Sequence, residues 1–100
     1  MRVYLALTLE DLEQLDAGEQ IAPDAYVAGS EDEEDELAAL EEAAEQGVAA
    51  AAAELAHEDD PVSLADIASF HLDVDGSGDL AWYATQELDA VLREARRTAS

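Results

Sequence analysis

Apolar positions alternate in some stretches of the chain and recur at helical spacing in others. In R-V-Y-L-A-L, Val3, Leu5 and Leu7 fall on one side and predict an opening strand over 2–7. Leu9, Leu12 and Leu15 follow at helical spacing and predict a helix over 9–16. Thr8 with Asp11 three residues later is a weak form of the capping box, and Gly18 is placed to stop that helix. After the loop at Pro23, residues 25–28 read as a short strand. Ser30 with Glu33 fits a second capping box, opening a helix over 31–46 whose apolar positions Leu37, Leu40 and Ala44, continued by Val48, lie on one narrow stripe.

Further along, Phe70, Leu72 and Val74 alternate with His71, Asp73 and Asp75. After Gly76, Ser77 and Gly78, Leu80 and Trp82 alternate with Ala81 and Tyr83. This pattern predicts a β-hairpin over 67–84, with strands 67–74 and 79–84 and a short helical turn at 63–66 before it. Phe70 and Trp82, the only Phe and the only Trp, are the expected aromatic anchors of the core. Leu88, Val91, Leu92 and Ala95 then recur at i, i+3, i+4 and i+7 and predict an amphipathic helix over 86–97. Arg93, Arg96 and Arg97 in its last turns suit the negative end of its dipole. The alanine run after Gly47 has two readings. Helix propensity carries it on as helix, whereas Gly47 is a plausible helix stop.

Composition narrows the picture. A chain of 100 residues is expected to be one domain, 1–100, with a modest core, since 22 of its apolar residues are Ala and bury little area each. It has no Cys, so disulfides and thiolate metal sites are excluded. The apolar run after Met1 and Arg2 ends at Glu10 and Asp11, too short for a signal peptide or a membrane span, and a soluble cytoplasmic protein is expected. There are 26 acids against four Arg and no Lys, for a net charge of −22. That charge opposes compaction and repels nucleic acid and anionic membranes, so direct binding to either is not expected. Adaptation to a salt-rich cytoplasm, imitation of nucleic acid to occupy a basic partner, or a flexible acidic tail would each explain it. Acids spread through every segment favour the first.

D-V-D-G-S-G-D-L, from Asp73 to Leu80, follows an EF-hand loop through Asp73, Asp75, Ser77, Gly78 and Leu80 at positions one, three, five, six and eight. Position twelve is Ala84, where a bidentate Glu belongs, and Glu87 comes three residues late. Asp73, Asp75, Ser77 and Asp79 are therefore the candidate metal ligands, and calcium the one cofactor they suggest. A plain Asp/Gly/Ser turn is the commoner use of such residues. His71, Asp73 and Asp75 share a strand face and form a second candidate ligand set, although two-residue spacing yields such sets freely on a wet face. No nucleophile elbow or phosphate-cradling loop occurs, Lys is absent, and no catalytic residue is assigned.

M-R-V-Y-L-A-L-T-L-E-D-L at Met1 to Leu12 and I-A-S-F-H-L-D with L-A-W-Y-A-T-Q-E-L at Leu80 to Leu88 resemble a family of small uncharacterised proteins, mainly actinobacterial, that open M-R-V-Y and close near W-Y-A-T-Q-E. The resemblance spans roughly a third of the chain and implies a strand at 48–55. The family brings no activity and no functional residues. Tyr83, Gln86 and Glu87 in its most specific block are the candidate interaction residues. The expected fold is α+β, a small, mostly antiparallel sheet of 2–7, 48–55, 67–74 and 79–84 with helices packed on one face. The expected role is that of a non-enzymatic, salt-adapted protein acting on an unidentified protein partner; a nucleic-acid mimic and a calcium-binding module are the alternatives.

Overall fold

Strand β1 (Arg2–Leu7) forms where the alternation places it, and its two sides meet different surroundings. Val3, Leu5 and Leu7 are fully buried on one side, Tyr4 and Ala6 nearly so on the other. In the computed structural model, which describes residues 1–99, β1 is flanked antiparallel by β2 (Asp24–Tyr26) and β3 (Ala49–Glu54). Then come β4 (Ile67–Leu72) and β5 (Ala81–Ala84), so the antiparallel sheet runs β2-β1-β3-β4-β5. With helices α1 (Leu9–Asp16), α2 (Glu33–Gln46) and α3 (Leu88–Ala99), the fold is α+β. Short 3₁₀ turns, Leu64–Asp66 and Thr85–Glu87, lead into β4 and α3.

The central strand is the alanine run. Ala is a strong helix former, and tertiary pairing overrides that preference. The Gly47 backbone is extended at φ −136° and ψ −177°, and the Val48 N–H donates to the Leu7 carbonyl at 2.9 Å, which starts the pairing of β3 with β1. Ala49, Ala51 and Ala53 face one layer of core, Ala50 and Ala52 the other. A strand covered on both faces by small side chains lets both layers lie close to the sheet.

Two layers cover the sheet. α1 and α3 lie on the Val3, Leu5 and Leu7 side with Leu12, Leu15, Val91 and Leu92, whereas α2 lies on the Tyr4 and Ala6 side through Ala39 and Ala43. The expectation of helices on one face alone is therefore corrected. β1 and β3 are apolar on both faces, and a sheet apolar on both faces needs cover on both.

The docking stripe of α2 also differs from the expected one. Ala39 and Ala43 are buried, Leu40 and Ala44 are half-buried, and Leu37 is 53% exposed. Packing against Tyr4, Ala6, Ala50 and Ala52 favours the smaller face of the helix and leaves Leu37 to one side. α2 starts two residues later than expected, with Asp32 as its N-cap; the Ser30 hydroxyl instead donates to Asp35 Oδ2 at 2.6 Å. The Thr8 capping box of α1 forms as expected, with both of its hydrogen bonds at 3.0 Å.

Candidate functional site

β4 and β5 pair with Phe70 opposite Tyr83 and His71 opposite Trp82. Cross-strand partners share a face, so Tyr83 turns toward the α3 side with Phe70 and packs partly against that core. Trp82 turns to the α2 side with His71. α2 packs over β1, β2 and β3, and Trp82 stands 63% exposed. Phe70 is the core anchor expected of it; Trp82 is not. The register of the hairpin, decided across the long turn from Asp73 to Leu80, sets which of two adjacent aromatics goes inside. Trp82→Ala is accordingly expected to change stability by less than about 1 kcal/mol, because it removes a cross-strand contact and no buried volume. Urea unfolding in molar KCl checks this, and a loss of several kcal/mol would put Trp82 back in the core.

The uncovered part of the α2-side face forms an open bay. One end is a cleft of about 270 Å³ whose lining includes Tyr4, Glu33, Leu37, Leu40, Ser69 and His71. Further along α2, a cleft of about 300 Å³ is lined by Glu41, Ala44, Glu45, Asp73, Gly78 and Leu80. On the bay floor, Ser69 Oγ and His71 Nε2 lie 2.8 Å apart. Burial pushes the His71 pKa below its ordinary value, so the imidazole stays neutral near pH 7. Burial and then the Glu36 carboxylate raise the Tyr4 phenol, which keeps its proton.

A Ser–His pair serves nucleophilic catalysis when the hydroxyl is open to substrate and a third group orients the base. Ser69 is 7% exposed, and among the described residues no carboxylate hydrogen-bonds to His71. Their hydrogen bond satisfies two polar groups at the edge of the α2-side core.

The candidate ligands Asp73, Asp75, Ser77 and Asp79 are brought together in one turn, where their oxygens largely serve its own backbone. Asp73 accepts N–H bonds from Asp75, Gly76 and Gly78, Asp75 accepts from Ser77, and the Ser77 hydroxyl accepts from Asp79. The Ser77 side chain first, and then its backbone N–H, hold the Asp75 carboxyl below its ordinary range. Gly76 and Gly78 have φ of 77° and 91°, the left-handed conformation that such a turn requires. Among the described residues no group of three His, Asp or Glu side chains is arranged to hold a metal ion. Ala84, at position twelve of the EF-hand count, lies in β5, and its N–H donates to Glu87 Oε1 at 2.9 Å.

Tyr83, Gln86 and Glu87 do not converge. Tyr83 leans on the α3-side core, Glu87 caps the turn before α3, and Gln86 is exposed beside it. The features that sequence reasoning missed are the exposure of Trp82 and Leu37 and the Ser69–His71 pair. Only the last had a local signal, since residues 69 and 71 alternate with Phe70 and Leu72 and so share the opposite face.

Acids ring the bay: Glu33, Glu36, Glu41 and Glu45 from α2 and Asp73 from the turn. Among the described residues the one cation lining it is Arg2, whose Nε donates to Glu54 at 2.6 Å. Elsewhere Arg96 pairs with Glu13, and Arg97 pairs with Glu94 while donating to the Val74 carbonyl at 2.7 Å. Among the described residues no helix is long and apolar enough to cross a membrane. Compared with known proteins, the chain matches no family model, no curated protein and no solved structure, so its function has to be argued from its own residues.

Proposed function

We propose that this chain is a non-enzymatic, salt-adapted cytoplasmic protein that acts by contact with another protein through the bay between α2 and β5. The observation that carries this reading is Trp82, 63% exposed on a sheet face left uncovered beside α2. Trp is enriched where interfaces concentrate their binding energy, and an exposed Trp on the face that also carries α2 with its exposed Leu37 is a reason for a partner to bind there. The likeness of both ends of the chain to the small actinobacterial proteins is part of the same proposal and adds no residue roles.

Acids on α1, α2, the turns and α3 support solvent adaptation over imitation of nucleic acid, which would collect carboxylates on one face. Four Arg and one N-terminus cannot neutralise 26 acids. Molar salt shortens the screening length to about 3 Å and removes most of the repulsion. The thermal midpoint is therefore expected to climb by about 10 °C or more from dilute buffer to molar KCl, which corresponds to roughly 2 kcal/mol of relieved repulsion. A midpoint indifferent to KCl would refute the adaptation.

The contact reading is tested by placing a photo-crosslinking amino acid at position 82, in the cells the protein comes from, and the same group in place of Glu10 on α1. A discrete adduct from position 82 and none from position 10 is expected. Equal labelling from both positions, or none from 82, would overturn the reading.

A further inference from the structure

We propose that the occupant of the bay is a cationic amphipathic helix of a partner protein, lying alongside α2 over β4 and β5; this rests on the contact reading above. The first reason is geometric. One face of the five-stranded sheet carries two helices, α1 and α3, whereas the other carries α2 alone, over β1, β2 and β3. No helix packs on this side of β4 and β5, although Ser69 on β4 is buried at 7% exposure, so the open strip is β5 with the outer side of β4. Packed helices stand about 8–10 Å apart, so a helix beside α2, which is centred on β1, would lie over β4 and β5.

The chemistry of the strip selects the face such a helix presents. His71 and Leu80 line the clefts, Trp82 is the cross-strand neighbour of His71 on the same face, and Leu37 and Leu40 stand on the wall. Glu33, Leu37, Leu40, Glu41, Ala44 and Glu45 line the clefts at steps of three, four and one along α2, a single stripe of that helix turned to the bay. A helix with a narrow apolar stripe flanked by Lys or Arg meets apolar floor and acidic rim at once, the helix-in-groove mode of recognition. In molar salt the rim acts through contact pairs rather than long-range steering, since fields beyond about 3 Å are screened.

Other occupants fit less well. A strand added to the edge of β5 would find only four residues, and the Ala84 N–H is already taken by Glu87. A second copy, with 26 acids against four Arg, offers few cations to pair with the acidic rim at contact distance. Nucleic acid would set phosphates directly against the same carboxylates.

The test uses the whole protein at a KCl concentration where circular dichroism shows it folded. Its probes are synthetic peptides of about 18 residues built from Leu, Ala and Lys: one with Leu at i, i+3, i+4 and i+7, and one of the same composition scrambled. Titration is followed by Trp82 fluorescence and calorimetry. The amphipathic peptide is expected to bind, to shift Trp82 emission to the blue and to gain helical dichroism, at least about tenfold more tightly than the scrambled one. Trp82→Ala, read by calorimetry, is expected to weaken binding about tenfold or more. Glu41→Gln with Glu45→Gln is expected to weaken it severalfold, and Glu10→Gln on α1 to leave it unchanged.

Equal binding of both peptides, or binding indifferent to the Trp82 and Glu41/Glu45 variants, would overturn the proposal. So would tighter binding of an alternating Val-Lys peptide that stays extended, or a Trp82-dependent dimer of the protein alone in sedimentation. If no peptide binds while crosslinking at position 82 still yields a discrete partner, the cationic helix is wrong and the contact reading stands. If neither gives a signal, both fall.

Discussion

Phe70→Ala is expected to remove about 3–5 kcal/mol of stability, because Phe70 is the largest fully buried side chain among the described residues. It lies in β4, paired across the sheet with Ala51 on one side and Tyr83 on the other. Its neighbours make the loss severe. Ala49, Ala51 and Ala53 put one methyl each into that layer and cannot move to fill a void. A domain of this size has about 5–15 kcal/mol in total, so the variant sits near the edge of folding even in molar KCl. Phe70→Leu, which keeps most of the volume, is expected to lose far less. Urea unfolding at fixed KCl measures both, and a loss under about 1 kcal/mol for the alanine variant would mean that the core lies elsewhere.

Gly47→Ala is expected to cost about 3 kcal/mol, the upper end of what overpacking usually costs. A methyl built on Gly47 would stand 2.5 Å from the Leu7 carbonyl oxygen, 2.7 Å from the Leu7 nitrogen and 3.1 Å from the Ala49 oxygen. All three are backbone atoms of the β1–β3 pair and have no rotamer to yield by. The extended backbone at Gly47 is one that any residue adopts, so the missing Cβ itself is what the position requires. The contrast with local propensity is sharp, because Ala in place of Gly at the end of a helix would favour helix by about 1 kcal/mol. Gly29→Ala is the control: its new methyl meets only Asp35 Oδ2 at 3.8 Å, and a change within about 0.5 kcal/mol is expected. A neutral or stabilising Gly47→Ala would show that β1 and β3 separate more easily than their pairing implies.

Both variants probe the β3 region, where sequence reasoning was weakest. Residues 49–54 are five Ala and one Glu, with no alternation to read and the highest helix propensity available. Their strand conformation comes from β1 and β4, which take up the backbone hydrogen bonds on both sides. Trp82 and Tyr83 pose the same difficulty in smaller form. The alternation said correctly that they lie on opposite faces, and nothing within the hairpin said which face α2 would leave bare. At Ala68 the ladder between β3 and β4 shifts register, Ala52 pairing with Ser69 and Ala53 with Ile67, so that Ile67 joins the core and Ala68 is exposed. No two-residue pattern announces such a bulge.

Local rules determined what depends on neighbours along the chain. The parity of β1, the Thr8 capping box, the apolar stripe of α3 and the burial of Phe70 and Leu72 all followed from spacing, because each is settled within one turn or one strand. The charge of −22 and the exclusion of thiolate chemistry followed from composition alone. Tertiary structure alone decided that the alanine run is the central strand, that α2 docks by Ala39 and Ala43 and turns Leu37 outward, and that one strip beside Trp82 stays uncovered. Each of these depends on which elements meet across the sheet. For side chains as small as Ala, close approach of the layers outweighs any preference of the residue itself.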